Sequence, residues 1–162
     1  MTPDDAAELF RLRRASLIEE PFAFLSSPED DTASSEDAVR QQLSLPAEGS
    51  VVFGALDGDR LIGLIGLSRD RPIKAAHRAC IWGVFVDKAY RRLGIASRLL
   101  AAVIEHASTL PGVERVYLSV SEKTPGAKRL YEAHGFVAWG LEPDCIRYGG
   151  EAAHEYHMAR SV

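Results

Sequence analysis

The apolar run RACIWGVFV, Arg78 to Val86, passes through DKAYRRLG directly into a helix-periodic run beginning at Ile95. No other feature limits the fold as much. A strand that feeds a helix through a short loop forces that helix to pack back onto the strand's own sheet. The strand lacks polar alternation, which predicts burial on both faces. In the helix, Ile95, Leu99, Val103 and Ala107 recur every four residues and predict one apolar stripe. The helix opening near Gly94 exposes unpaired amide N–H groups at the positive end of the dipole, a ready site for an anion. Gly94 lets the backbone come close to a ligand, and Ala96 leaves the next amide uncovered. Arg91 and Arg92 add charge suited to phosphate oxygens. A pyrophosphate is the natural guest, although the turn alone is equally compatible with solvated arginines around an ordinary turn glycine. Neither G-x-G-x-x-G nor G-x-x-x-x-G-K-[ST] occurs.

The rest of the chain supplies the layers around this unit. TPDDAAELFRLRRASLIEE predicts a helix capped at Thr2, with Pro3 in its first turn. Its expected apolar face is Ala6, Leu9, Leu12, Leu17 and Ile18, and Pro21 closes it. The acidic stretch SSPEDDTASSEDA predicts a loop, with Ser34 or Ser35 capping a second helix from Glu36 to Leu45. SVVFGAL and LIGLIGLSR, joined through Asp57-Gly58-Asp59, predict a hairpin. PGVERVYLSV is a turn and a strand with Val116, Leu118 and Val120 on one face. TPGAKRLYEAHG is a helix with Thr124 as cap, Pro125 first and Gly135 as terminator. FVAWG and AAHEYHMAR are the last strands. The order is two helices, three strands, helix, strand, helix, two strands. That is a mixed α/β or α+β layer fold, expected as one domain over residues 1–162.

Composition narrows the function classes. The formal net charge of −4 weighs against a nucleic-acid partner, which favours a basic protein. No segment approaches a membrane span. The acidic N-terminus has no signal-peptide character. Cys80 and Cys145 lack metal-ligand spacing, so neither a zinc site nor a disulfide framework is expected. Cys80, in its apolar run, is expected in the core. The expected location is the cytoplasm.

VDKAYRRLGIASRLL resembles the acyl-coenzyme-A binding motif of the Gcn5-related N-acetyltransferases, [QR]-x-x-G-x-[GA], at Arg91, Gly94 and Ala96. Further on, LSVSEKTPGAKRLYEAHGF resembles the family's second motif, at Ala127, Leu130, Tyr131, Gly135 and Phe136. ASLIEEPFAF, LIGLIGL, HRACIWGVFV and AAHEYHMAR resemble one bacterial branch of small acetyltransferases, so the likeness covers nearly the whole chain. It implies a sheet whose central strands splay apart, with helices on both faces and acetyl-CoA as cosubstrate without a metal. The pantetheine arm would lie in the gap against the backbone of Val84, Phe85 and Val86, as an added strand. One of those N–H groups would also polarise the thioester carbonyl. The pyrophosphate would meet Arg91, Arg92, Leu93, Gly94, Ile95, Ala96 and Ser97. Thr124 stands where the family usually has Asn; it offers a hydroxyl but loses an amide contact. Tyr131 is the implied general acid; from the residues alone it reads as a packing partner of Leu130. The family usually begins with a strand before the first helix. Here that strand is absent or reduced to a stub.

The acceptor implied is a primary amine on a small molecule or a protein, and a homodimer is compatible. No carboxylate stands in ACIWGVFV, where some members carry a base. Glu20, His77, His154 and Glu155 are the remaining candidates, with water as the alternative. The loop from Glu29 to Asp37 is either solvated or an attractor of a cationic amine. Two rival functions share the scaffold: an acyl-CoA sensor without catalysis and a protein-interaction module.

Overall fold

The computed structural model describes residues 1–44 and 49–162. The helices are α1 (Ala6–Glu19), α2 (Glu36–Ser44), α3 (Ile95–Thr109) and α4 (Pro125–Ala133). The strands are β1 (Ser50–Asp57), β2 (Arg60–Arg69), β3 (Arg78–Val86), β4 (Arg115–Ser121), β5 (Val137–Tyr148) and β6 (Glu151–Ser161). They form one sheet in the order β1-β2-β3-β4-β6-β5. All pairs are antiparallel except β3 with β4. The expected element order is observed. Leu45, the last residue of the expected second helix, lies outside the described residues.

Helices cover both faces. α3 lays Leu99, Leu100, Val103 and Ala107 on a core with Ile65, Leu67, Ile81, Val116, Leu118 and Val120. α4 adds Tyr131 to it. On the other face, Leu12 of α1 packs with Leu61, Leu64 and Phe85. Leu99, Val103 and Ala107 are buried as their spacing predicts, and Val116, Leu118 and Val120 share the buried face of β4. Ser35 caps α2 by accepting from the Ala38 amide at 3.1 Å.

Several local expectations are corrected. Pro3–Asp5 forms a 3₁₀ turn, and α1 proper starts at Ala6. Asp5 anchors that turn by accepting from the Thr2 amide at 2.7 Å. Ile18 is 60% exposed, because it is rotated off the stripe formed by Ala6, Leu12 and Leu17. β3 is not buried on both faces: Ala79 and Ile81 point into the α3 core while Cys80 is exposed. α1 does not extend over that part of the sheet, so the apolar run misleads there. β5 extends far beyond FVAWG, to Tyr148, across an irregularity between Glu142 and Ile146 where Asp144 takes φ +56°. Among the described residues no strand precedes α1. Instead the Met1 ammonium donates to the Val52 carbonyl at 2.8 Å.

Candidate active site

The central feature is a gap in the sheet. β3 and β4 pair only at Arg78–Arg115, Ala79–Val116 and Cys80–Tyr117, and then separate. The cause lies on β3. Between the pairs Gly66–Trp82 and Leu64–Phe85, the single residue Ile65 faces both Gly83 and Val84. This is a β-bulge, and Gly83 takes φ +67° in it. The bulge bends β3 away from β4 just beyond their last pair. A glycine inside a strand-like run is a bulge signal readable in the sequence, and the apolar character of RACIWGVFV hides it.

The gap opens into a cleft of about 610 Å³ lined by Ile81 to Val86, Leu118 to Ser121, the turn before α3 and one face of α4. Val84, Phe85, Val86, Arg91, Arg92, Gly94, Ala96, Ser97, Thr124 and Tyr131 all line it. Leu93 and Ile95 do not: Leu93 is 68% exposed, and Ile95 packs into the α3 core. Past Cys80 the β4-facing edge of β3 has no strand partner among the described residues.

The turn adopts the curled backbone that gathers amide groups around an anion. Arg92 has φ +64° and Gly94 φ +77°, so left-handed residues alternate with right-handed or extended ones just before α3 begins. Successive N–H groups in such a turn form a concave nest. A Cβ at Gly94 would meet nothing within 4 Å, so the position is open to a ligand. The two arginines divide their work. Arg91 donates from Nε to the Val86 carbonyl at 3.0 Å and from Nη1 to Glu20 at 2.8 Å, and it lies over the Phe85 ring. It therefore ties the turn to β3 and α1, and one Val86 acceptor position is already filled. Arg92 is exposed and pairs with no carboxylate among the described residues. Thr124 occupies the position before α4, but its hydroxyl donates back to the Ser121 carbonyl at 2.9 Å instead of capping the helix.

Tyr131 is 5% exposed, packed edge-on against Phe136. No group among the described residues bonds its hydroxyl, yet no fully buried side-chain oxygen lacks a partner there. The hydroxyl is therefore open to the cleft. Burial pushes the phenol well above its usual pKa, so it stays protonated at any physiological pH.

The candidate bases lie in very different places. Glu20 lines the cleft but is held by Arg91. His77 is exposed at the start of β3, at the end of that strand opposite the turn. His154 faces the β5 bulge, where its Nδ1 accepts from the Asp144 amide at 3.0 Å. Glu155 is buried and accepts from the Cys145 thiol at 3.4 Å. Of the acidic loop, Asp31 turns inward to Arg13 at 3.0 Å, and no residue from 29 to 37 lines the cleft. Attraction of an amine by that loop is thus not supported.

Three contacts beside the cleft, two of them made by its lining residue Lys123, are not legible in the sequence. Phe22, after α1, meets Tyr148 at the β5–β6 tip edge-on at 6.0 Å. Lys123 lies over the Phe22 ring at 5.6 Å and pairs with Glu151 at 3.0 Å. Nothing in the local sequence links these residues, which tertiary folding alone brings together.

Residues 11–136 match the acetyltransferase (GNAT) family model, and the chain belongs to that family. Human N-acetyltransferase 8 is 30% identical over 115 residues, covering 70% of this chain and 50% of that protein. The L-amino acid N-acetyltransferase AaaT of Escherichia coli is 29% identical over 109 residues, covering 67% of this chain and 66% of that protein. The "Probable spermine N(1)-acetyltransferase" of Bacillus subtilis subsp. natto is 40% identical over 52 residues, which is 32% of this chain and 34% of that one. The matches thus span from a third to just under two thirds of these relatives' own lengths. Among solved structures, a GNAT-family acetyltransferase from Streptococcus pneumoniae superposes with a TM-score of 0.84 at 25% identity, over 100% of this chain and 96% of that one. The yncA protein of Salmonella typhimurium, solved with its cofactor acetyl-CoA, shares the fold with a TM-score of 0.82 at 16% identity, over 99% and 90% of the two chains. No helix among the described residues is long and apolar enough to cross a membrane.

Proposed function

We propose that this chain, acting as one domain, transfers an acetyl group from acetyl-CoA to a primary amine by direct attack. The observation that carries the reading is the cleft between β3 and β4, which ends on the left-handed turn at Arg92 and Gly94. An extended thioester arm fits a strand edge with no partner among the described residues, and a pyrophosphate fits the amide nest beside the exposed Arg92. The backbone of Val84 and Phe85 would pair with the arm, and the amides of Arg92, Gly94, Ala96 and Ser97 with the phosphates. Ala96 and Ser97 keep the nest open because their side chains are small.

Tyr131 assists departure of the thiolate. A thiol titrates near about 8.5, so a phenol raised by burial is the weaker acid of the two. Complete proton transfer from Tyr131 would run uphill. Its hydroxyl therefore donates a hydrogen bond to the developing thiolate, and solvent delivers the proton. The acceptor belongs to the amines, and the names of relatives suggest polyamines and L-amino acids as first trials. Two free thiols, Cys80 and Cys145, fit a reducing cytoplasmic setting.

The test is release of free coenzyme A in the presence of spermidine, L-amino acids and peptides with free N-termini. Turnover with at least one amine, above the rate without amine, is expected. Tight acetyl-CoA binding with no release for any of them would overturn catalysis.

A further inference from the structure

Acetyl transfer needs an unprotonated amine, and the base candidates named from the sequence do not supply a route to one. An alkylammonium resembles the lysine side chain, with a pKa near about 10.4, so roughly one molecule in 10³ is neutral at pH 7. The face of the sheet opposite α3 and α4 carries a group able to take that proton. Ser119 lines the cleft and points away from the core, into which its neighbours Leu118 and Val120 project. Its cross-strand partner on β6 is His157. Ser119 Oγ lies 2.9 Å from His157 Nδ1, and His157 Nε2 lies 2.9 Å from Glu142 Oε2 on β5. Trp139 stacks on the imidazole at a centroid distance of 5.4 Å and an interplanar angle of 29°. The β5 irregularity between Ala138 and Gly140 falls at Trp139 itself, beside His157.

One tautomer satisfies this chain of contacts. An ionised carboxylate only accepts, so Nε2 carries the hydrogen that Glu142 receives. Nδ1 then holds a lone pair and accepts from the Ser119 hydroxyl. The serine oxygen keeps its own lone pairs for the cleft. We propose that Ser119, His157 and Glu142 form a proton relay that deprotonates the acceptor ammonium before it attacks the thioester. This rests on the acetyl-transfer reading. The ammonium gives one proton to Ser119 Oγ while the serine proton passes to His157 Nδ1. The freed nitrogen lone pair forms the new C–N bond, the C–S bond breaks, and the second nitrogen proton balances the thiolate through solvent. The imidazolium is stabilised by Glu142 and returns its proton to water, since the ring is partly exposed. The arrangement follows the logic of serine–histidine–acid sites, with the serine passing a proton instead of attacking. The groups facing His157 are Ser119 from β4 and Glu142 with Trp139 from β5. Glu155 and Cys145 come next along the strands, and burial beside Glu155 pushes the Cys145 thiol up to about 11, which keeps it neutral.

The test compares spermidine with hydroxylamine, a far weaker base that reaches the cleft already neutral. His157→Gln is expected to lower kcat/KM for spermidine by roughly 10²-fold, and to make its pH profile follow only the amine's own ionisation. Hydroxylamine should react at nearly the wild-type rate. Ser119→Ala and the exposed Glu142→Gln should show the same amine-dependent loss, smaller in size, and they serve if His157→Gln fails to fold. Equal losses on both amines, or none on either, would overturn the relay while leaving acetyl transfer standing. Where the amine panel shows another strongly basic acceptor, that amine takes the place of spermidine, and only absence of wild-type turnover with every amine of the panel while acetyl-CoA is bound would overturn the acetyl-transfer reading and the relay with it.

Discussion

The two sides of the cleft are built in opposite ways. On the α3 side, the proposed anion nest draws on one short stretch, in which Arg91, Arg92, Gly94, Ala96 and Ser97 line the cleft, and its properties are those of the backbone. On the other side, Ser119, His157 and Glu142 come from three strands, and Phe22, Tyr148, Lys123 and Glu151 meet beside the cleft from distant segments. The stretch that matches the family ends at Phe136, before β5 and β6 begin. A backbone nest works with almost any acceptor, so a short local motif suffices for it. An acceptor face depends on which side chains the strand register sets side by side, and it can change without disturbing the nest.

The sharpest way to break this division is Gly94→Glu. An added Cβ meets no neighbour, so the fold should survive, although φ +77° is strained for Glu by roughly 1–2 kcal/mol. A carboxylate some 4 Å from phosphate oxygens costs about 4 kcal/mol near a protein surface, so acetyl-CoA affinity should fall roughly 10³-fold. Calorimetry on the folded variant checks this, and unchanged affinity would remove the anion from the turn.

Tyr131→Phe comes next. Its ring packing on Phe136 survives the loss of the hydroxyl. We expect coenzyme affinity to hold and kcat to drop by roughly 10²-fold. A thioester of a more acidic thiol should shrink the loss, because its thiolate needs less help. A loss independent of the leaving group would mean that Tyr131 positions the substrate.

The paired arginines give a smaller contrast within the turn itself. Arg92→Ala should weaken acetyl-CoA roughly 10-fold, flatten the dependence on salt and leave the melting temperature alone. Arg91→Ala should lower Tm by roughly 3 °C, about 1 kcal/mol after allowing for solvent screening, because it loses the Val86 and Glu20 contacts. Interchanged outcomes in titration and melting experiments would reverse the two roles.

Phe22→Ala tests the far side with the smallest effect. Losing an edge-on aromatic pair and the Lys123 contact is worth about 1 kcal/mol. The amine KM should rise roughly 5-fold while the acetyl-CoA affinity is unmoved. A change confined to acetyl-CoA would place the Phe22 wall on the coenzyme side.

By itself the sequence determined the order of the elements and the glycine turn before α3. The four-residue period of α3, the alternation in β4, the hairpin at Gly58, and Pro125 with Gly135 around α4 are short-range signals, each set by local backbone preference. The turn at Gly94 is legible for the same reason: a helix start and a left-handed residue are properties of neighbours in the chain. Only the tertiary structure decided what faces what. Cys80 reads as a core residue in its apolar run, and only the assembled sheet leaves it uncovered; Arg91 reads as a phosphate ligand in the turn, and only the fold also sets it against Glu20, just past the end of α1. His157 looked like one more residue of a closing strand. It gains a possible chemistry only when β6 pairs with β4 in the register that sets it beside Ser119, and when β5 bulges to bring Trp139 and Glu142 onto its ring. Register depends on the burial of a whole sheet face, which no short window of sequence contains.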